Sequence, residues 1–475
     1  MSLQVLVLVP LAGALVTALD PHRSRRLAWL LVAAAMHLAL IGLAWRGGLA
    51  ESRWLWLTFD PLGGLVLTLV SVVFLAVAAY SVGYVRRETP RGGRLFESCL
   101  LGFLAASSVV CLTDHLGILW VAIEATTLAT APLIYDPHDR HSIEAVWKYL
   151  LLCSVGIALA LLGTFMLALA QDPSRAAPSL LRSALLRAPH LDPVWFKAAF
   201  VFLFVGYGTK VGLVPMHTWL PDAHGEAPSP ISALLSGALL NVAFLAILRV
   251  VQVAHAGGQA RLIGPVLVGF GLASMLVAGA LLFRQRNYKR MLAYSSIEHM
   301  GILAVGCGLG QVATFGALWH MLGSSLAKAL LFFVSGNVLI AYRSKRIADV
   351  SGLVRRLPVS GTLFVLGFLA LTGMPPFAPF MSELLLLRGA VGSGHPWVAG
   401  GFVAIQVVIF AGMVTRIVRM AQGEPETPDR PRESSWLLVP PAALLGLVLV
   451  LGVYLAPPLE RVLGVAASTL GGVAP

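Results

Sequence analysis

Charged side chains are scarce in this chain: Asp, Glu, Lys and Arg make up 12% of its 475 residues, about half of the roughly 25% usual in soluble domains. A water-soluble fold of this length needs far more polar surface, so that class is excluded. Acids are scarcer than bases, 22 against 34, for a formal charge of +12. Cysteine is scarce as well. The 4 cysteines, Cys99, Cys111, Cys153 and Cys307, lie singly in apolar stretches, with no CxxC and no metal-ligand spacing. They read as small packing residues. The chain is therefore expected to hold no cofactor and to perform no redox chemistry itself. Low-complexity sequence is missing too, and the longest connections, 171–193 and 421–434, are too short to fold alone. Function must reside within the apolar segments or on their rims.

Hydrophobic residues fill the chain, 58% of the total, in runs long enough to cross a hydrocarbon core about 30 Å thick as helices. A β-barrel would instead show short alternating segments. Fourteen runs stand out: 3–19, 27–45, 61–85, 95–112, 115–135, 144–170, 194–221, 229–254, 262–283, 290–309, 312–341, 359–387, 397–415 and 435–456. They predict an all-α polytopic membrane protein. The first run has no basic stretch before it and leads into Asp20-Pro21-His22-Arg23, not into a small-residue cleavage site, so it is expected to be retained.

The positive charge is not arranged for nucleic acid. One set of connections carries Arg23, Arg25 and Arg26; Arg86, Arg87, Arg91 and Arg94; Arg140; Arg284, Arg286, Lys289 and Arg290; Arg343, Lys345, Arg346, Arg355 and Arg356; and Arg416, Arg419, Arg430 and Arg432. The other set carries fewer: Arg46, Arg53, Arg175, Arg182, Arg187, Arg249, Arg261, Arg388 and Arg461. The positive-inside rule then places both termini outside.

Two spans contain proline and glycine in their interiors: Gly206 to Pro221, with Pro215, and Gly367 to Glu383, with Pro375 and Pro376. An interior proline costs a helix about 3 kcal/mol, so both helices should break. They are the seventh and twelfth spans. Matched interruptions mark inverted repeats with a site at the breaks, although kinks that serve packing alone would look similar. The expected organisation is three peripheral helices over 1–94, a first five-helix repeat over 95–255, a second over 262–419, and a last helix over 435–456.

Ionisable side chains in the middle of a span cost about 2.5–3.5 kcal/mol each on insertion scales, so a functional role is the default. Here they are Glu124 in the fifth span, Lys210 in the seventh, His299 in the tenth, His320 and Lys328 in the eleventh, and Glu383 just past the second break. Paired by repeat, Glu124 corresponds to His299 and Lys210 to Glu383. A carboxylate and a base in each half is a composition suited to relaying protons, because opening or closing such a pair changes proton affinity. The alternative is a set of static ion pairs locking helices together. His217 and His224 flank Pro221 and cannot share a helix face as in HExxH, which argues against a metal site. With Asp222 and Glu226 they either admit protons or form a solvated loop. Lys148, near Glu144 at the start of the sixth span, either snorkels to the interface or joins the relay. Asp114 and Glu298 read as near-interface or network residues.

The stretch Lys210-Val-Gly-Leu-Val-Pro215-Met-His217-Thr-Trp-Leu-Pro-Asp-Ala-His224-Gly-Glu-Ala-Pro-Ser-Pro resembles the signature of the antiporter-like subunits shared by respiratory complex I, multisubunit sodium/proton antiporters and membrane-bound group 4 hydrogenases. The resemblance runs over nearly the whole chain, through Asp60-Pro61-Leu62, Tyr80 to Tyr84, Lys148-Tyr149, Lys289 to Ser296 and Gly373 to Pro376. It implies a proton relay through Glu124, Lys210, His299, His320, Lys328 and Glu383, with Lys148, His217, His224 and Asn241 as accessories. Asn241 is a departure, since many complex I members have lysine there. Tyr294 to Gly301 and Asn241 are most similar to the F-type subunit of hydrogenase-4-like complexes. The chain stops soon after its fourteenth span, so the long lateral helix of the distal complex I subunit is not expected. By resemblance, the setting is a prokaryotic plasma membrane. The partners are other membrane subunits and a peripheral arm with iron–sulfur clusters and a nickel–iron site. Sodium/proton antiport, or service to an energy-coupled carbon dioxide hydration complex, are the rival implications.

Overall fold

A computed structural model describes residues 2–88, 93–135, 139–171, 178–187, 191–425, 429 and 431–473. Arg91, Arg175 and Arg430 lie outside them. Among the described residues 12 helices are long and apolar enough to cross a membrane. Two shorter apolar helices, Val5–Leu19 and Pro358–Leu371, complete the fourteen expected runs. The chain is a polytopic helical membrane protein.

Both interrupted spans are broken where proline and glycine require it. The seventh runs Pro193–Val211, turns, and resumes as Trp219–Glu226. The twelfth runs Pro358–Leu371 and resumes as Ala378–Gly392. Each break opens on a left-handed glycine, Gly212 with φ 81° and Gly373 with φ 65°, and each carries a cis X-Pro peptide, Val214–Pro215 and Pro375–Pro376. Glycine adopts that conformation without the Cβ clash other residues meet. A final helix, Pro457–Ser468, follows the fourteenth span. Its apolar face, Leu463, Ala466 and Ala467, is buried, whereas its 12 residues are too few to register as a span.

The eighth span, Ser229–Ala256, is buried over its whole length, and the tenth (Tyr288–Leu309) and eleventh (Gln311–Tyr342) over most of theirs. These three form the axis of the molecule. Outer helices present Val121, Leu128, Leu151, Val155 and Val407 outward, as an apolar surround allows. The ninth span, Ala260–Leu282, meets the tenth through glycines. A Cβ at Gly271 would lie 2.6 Å from the Gly301 carbonyl oxygen, and one at Gly301 would lie 2.6 Å from that of Gly271, so small residues set the helix spacing. Gly301→Leu is expected to cost about 1–3 kcal/mol through overpacking and to lower the melting temperature in detergent. Gly269→Leu, which meets nothing within 4 Å, should leave it unchanged.

Three arginines and one lysine assigned above to connections turn out to be buried. Arg26 donates to Glu97 at 3.1 Å. Arg249 donates to both carboxylate oxygens of Asp60, at 2.6 and 2.7 Å. Arg182 donates to Asp114 at 3.2 Å and to Gln252 at 3.2 Å. Lys289 donates to the Ala227 carbonyl at 2.5 Å. Asp114 is thus a network residue, as expected. Burial alone would push the Asp60 carboxyl up, but Arg249 and Arg182 outweigh it and hold it below its ordinary 3.8. A depressed folded pKa contributes stability that is complete above the unfolded value and is lost as pH falls through the folded one. Asp60→Asn leaves Arg249 buried without its counter-charge. It should destabilise by about 3–5 kcal/mol, and Arg249→Met in the same chain should recover part of that loss, as read by thermal unfolding in detergent.

Candidate proton-conducting site

Glu124 lies halfway along the fifth span, Leu116–Ile134. Ser154 Oγ of the sixth span donates to Glu124 Oε1 at 2.7 Å. Thr127, one turn further on, donates to Oε2 at 3.2 Å. The same threonine oxygen accepts from Lys210 Nζ at 2.8 Å. A hydroxyl can donate and accept at once, so a single oxygen joins the carboxylate to the amine. Lys210 also donates to Tyr149 Oη at 2.6 Å and lies 4.6 Å from the centre of that ring. Tyr149 in turn pairs with Thr130 at 2.7 Å.

The break in the seventh span explains why Lys210 sits there. It occupies the last turn before Gly212, where a cation complements the C-terminal end of a helix dipole. The polar backbone exposed by the break is taken up by side chains. Trp219 Nε1 donates to the Thr209 carbonyl at 2.8 Å, and Val214 N donates to Ser274 Oγ at 3.0 Å. Backbone satisfied in this way is tolerated inside a membrane protein.

Past the break the accessory residues separate. Asp222 pairs with Lys148 at 2.9 Å and Arg290 at 2.8 Å. Glu226 pairs with Lys345 at 2.8 Å, and Lys148 also meets Glu144 at 2.6 Å. With 44% of its side chain exposed, Lys148 belongs to a rim cluster, as a snorkelling lysine would. His217 is half-buried in the turn, and its Nδ1 has no hydrogen-bond partner among the described residues. His224 is not in a solvated loop. It is fully buried and stacked on Phe332 at 5.2 Å, and neither ring nitrogen is within hydrogen-bond geometry of a partner among the described residues.

A set of hydroxyls surrounds Asn241. Its amide donates to Ser325 Oγ at 2.8 Å and to the Gly237 carbonyl at 2.9 Å, while its Oδ1 has no hydrogen-bond partner among the described residues. Gly237 lies in a π turn, Leu235–Leu239, a feature frequent at functional sites. Ser236 meets Ser296 at 2.8 Å, and Lys328 donates to Ser295 at 3.2 Å. His299 Nδ1 lies 2.9 Å from His320 Nε2, and His320 Nδ1 lies 3.0 Å from Ser382 Oγ. Glu383 Oε1 is 4.0 Å from His320 and accepts from Gln406 Nε2 at 3.4 Å. Gly373 makes room for that carboxylate, since a Cβ there would come 2.5 Å from Oε2.

The expected residues therefore fall into two groups, Glu124 with Lys210, and Lys328 with His299, His320 and Glu383. The serines and threonines beside them went unread, because hydroxyls are unremarkable in apolar sequence. So did Gln406 and His37, which is buried between Ser71 and Ser108 at 3.0 and 2.9 Å. The available signal was an uncharged polar residue inside a span for Gln406, and a titratable one for His37.

Residues 113–409 match the family model described as NADH:quinone oxidoreductase/Mrp antiporter, TM. The chain belongs to this family. It is 38% identical over 408 residues to the hydrogenase-4 component F homolog of Methylacidiphilum infernorum (isolate V4), covering 84% of this chain and 85% of that protein. It is 32% identical over 407 residues to NADH-quinone oxidoreductase subunit N of Desulforudis audaxviator (strain MP104C), covering 84% and 80%. The fold is shared with a chain of the membrane-bound sulfane sulfur reductase, an archaeal respiratory membrane complex, at a TM-score of 0.89 and 22% identity over 99% of this chain and 98% of that one. As in the family at large, this chain is an antiporter-like membrane subunit, and the charged groups above lie in its matched region.

Proposed function

We propose that this antiporter-like subunit moves protons for a redox-driven membrane complex, of which it is one of several membrane subunits, and that the protons pass along Glu124, Lys210, the Asn241 junction, Lys328, His299, His320 and Glu383. The observation that carries the reading is the chain Glu124–Thr127–Lys210, in which one hydroxyl links a carboxylate to a fully buried amine. Separating or closing such a pair moves a proton affinity. Two unit charges about 6 Å apart at an effective dielectric of 20 interact by roughly 3 kcal/mol, comparable to the roughly 2.3 kcal/mol needed to move one charge against 100 mV.

The two broken helices fit two inverted five-helix repeats, 95–255 and 262–419, with 1–94 and the last helix outside them. The basic connections favour both termini outside a prokaryotic plasma membrane. Similarity to a hydrogenase-4 component F homolog favours a partner arm carrying iron–sulfur clusters and a nickel–iron site. The chain itself would need no cofactor.

Glu124→Gln, made in the complex purified through this chain, should lower turnover-linked proton movement by roughly 10²-fold, the size of a lost proton-transfer group, with subunit composition unchanged. Undiminished proton movement would contradict the reading. Proton movement that requires sodium in the same vesicles would replace it with sodium/proton antiport.

A further inference from the structure

We infer that the protein binds the phosphate of an anionic phospholipid in a cavity walled by four arginines. The cavity lies at the ends of the ninth span and of the thirteenth, Pro396–Ala421, on the side of the basic connections. It is independent of the proton path. Its volume is about 510 Å³, and Gln285, Arg286, Arg346, Thr415, Arg416 and Arg419 form most of its lining. One water needs only about 10–15 Å³ of such space, so a headgroup fits. Among the described residues no aspartate or glutamate lines it. Guanidiniums stay charged in proteins, and like charges gathered without a counter-charge repel one another. A bound anion removes that repulsion.

Backbone pairing sets these side chains in place. The connection after the ninth span joins the one after the eleventh, with Ile347 N donating to the Arg286 carbonyl at 2.8 Å and Tyr288 N to the Lys345 carbonyl at 3.1 Å. Arg286 and Arg346 are thereby brought to one cavity. Arg416 and Arg419 lie at the end of the thirteenth span, where residues three apart are neighbours on the helix surface. Arg416 is already engaged. It donates to the Gly412 carbonyl at 2.6 Å, to the Gln285 carbonyl at 3.4 Å and to the Phe283 carbonyl, and so closes the C-terminal end of the ninth span. Arg286, Arg346 and Arg419 are exposed, and their side chains have no hydrogen bond or ion pair among the described residues. These three are the ones available to a ligand.

The surroundings favour a phospholipid. The arginine fork matches the oxygens of a phosphate bidentately. The two spans beneath the cavity face outward with apolar side chains, Leu276 and Phe283 on and just past the ninth, Val407 and Val418 on the thirteenth. A lipid whose phosphate sits among the arginines can lay its acyl chains along these faces. Basic pockets between transmembrane helices recur as sites for anionic headgroups. Free phosphate shares the charge but has no chains to place, and that difference is measurable.

The test is native mass spectrometry of the complex purified through this chain, delipidated in detergent and titrated with phosphatidylglycerol, phosphatidylcholine or inorganic phosphate. Wild type should take up one more tightly held phosphatidylglycerol than Arg286→Gln/Arg346→Gln. In that double variant the extra lipid should bind roughly 10-fold more weakly or worse, the loss expected for two basic residues beside an anionic lipid. Arg25→Gln/Arg355→Gln removes two charges elsewhere on the same side and should retain it. If the first pair disturbs assembly, Arg419→Gln decides, with an expected weakening of roughly 5-fold. Equal weakening in the control pair would reduce the effect to general surface charge and overturn the site. So would equal lipid uptake by wild type and the cavity variants, as when a neighbouring subunit fills the cavity. Phosphatidylcholine binding as tightly would overturn recognition by charge, and displacement of the lipid by millimolar inorganic phosphate would overturn the lipid as occupant.

Discussion

Lys210→Met is expected to abolish turnover-linked proton movement in the assembled complex, by roughly 10²-fold or more, while the complex still assembles. Met fills the space of the lysine stem but cannot bind a proton. Thr127 and Tyr149, the two hydroxyls that Lys210 touches, can pass a proton along but cannot store one near neutral pH. Lys210→Arg separates charge from titration. It keeps the positive charge, but the guanidinium is not deprotonated in proteins, so it should fail almost as completely as Met. An arginine variant that pumps normally would make the residue a fixed counter-charge. Proton movement in vesicles and the subunit pattern on native gels measure both properties.

The second large effect is expected at the junction. Asn241→Leu removes the amide that binds Ser325 and the Gly237 carbonyl, together with a buried oxygen that has no partner among the described residues. Buried polar groups of this kind are ordinarily satisfied by water, and a wire of hydroxyls and water is what an uncharged asparagine can support. Leu has no polar atom, so transfer from Lys210 to Lys328 should fall by roughly 10- to 100-fold. Asn241→Lys should remain active, because it offers a proton-binding group at the same point. Equal activity of the Leu and Lys variants would move the connection elsewhere. Flux under a fixed driving force distinguishes these outcomes.

Much of this was legible in one sequence because a membrane protein is written in contrast. A Glu or Lys inside an apolar run is visible at once, and so are the prolines that break the seventh and twelfth spans. Glu124, Lys210 and Lys328 were found that way. Arg249 was misplaced because it stands near the end of a span, where charge is normally solvated. Its burial depends on Asp60, 189 residues away in sequence, and no local pattern records that pairing. For His224 the sequence leaves proton entry and a solvated loop open, for a related reason. Its neighbours Asp222 and Glu226 face rim cations, and only the packing of Phe332 against its ring shows that it faces inward. Gln406 and the neighbouring serines carry no charge, so their value appears only beside the groups they touch. The helix Pro457–Ser468 was missed because an amphipathic segment of 12 residues is neither a span nor a domain.

The central claim is that protons cross from a first half holding Glu124 and Lys210 to a second half holding Lys328 and Glu383. The ratio of protons moved to electrons transferred, measured in sealed vesicles for wild type, Lys210→Met, Lys328→Met and the double variant, tests it most directly. Halves in series make each single variant as deficient as the double, with electron transfer still running or slowed by the lost coupling. Single variants that each keep about half the ratio, and a double variant that alone abolishes it, would mean two independent channels and would contradict a continuous path.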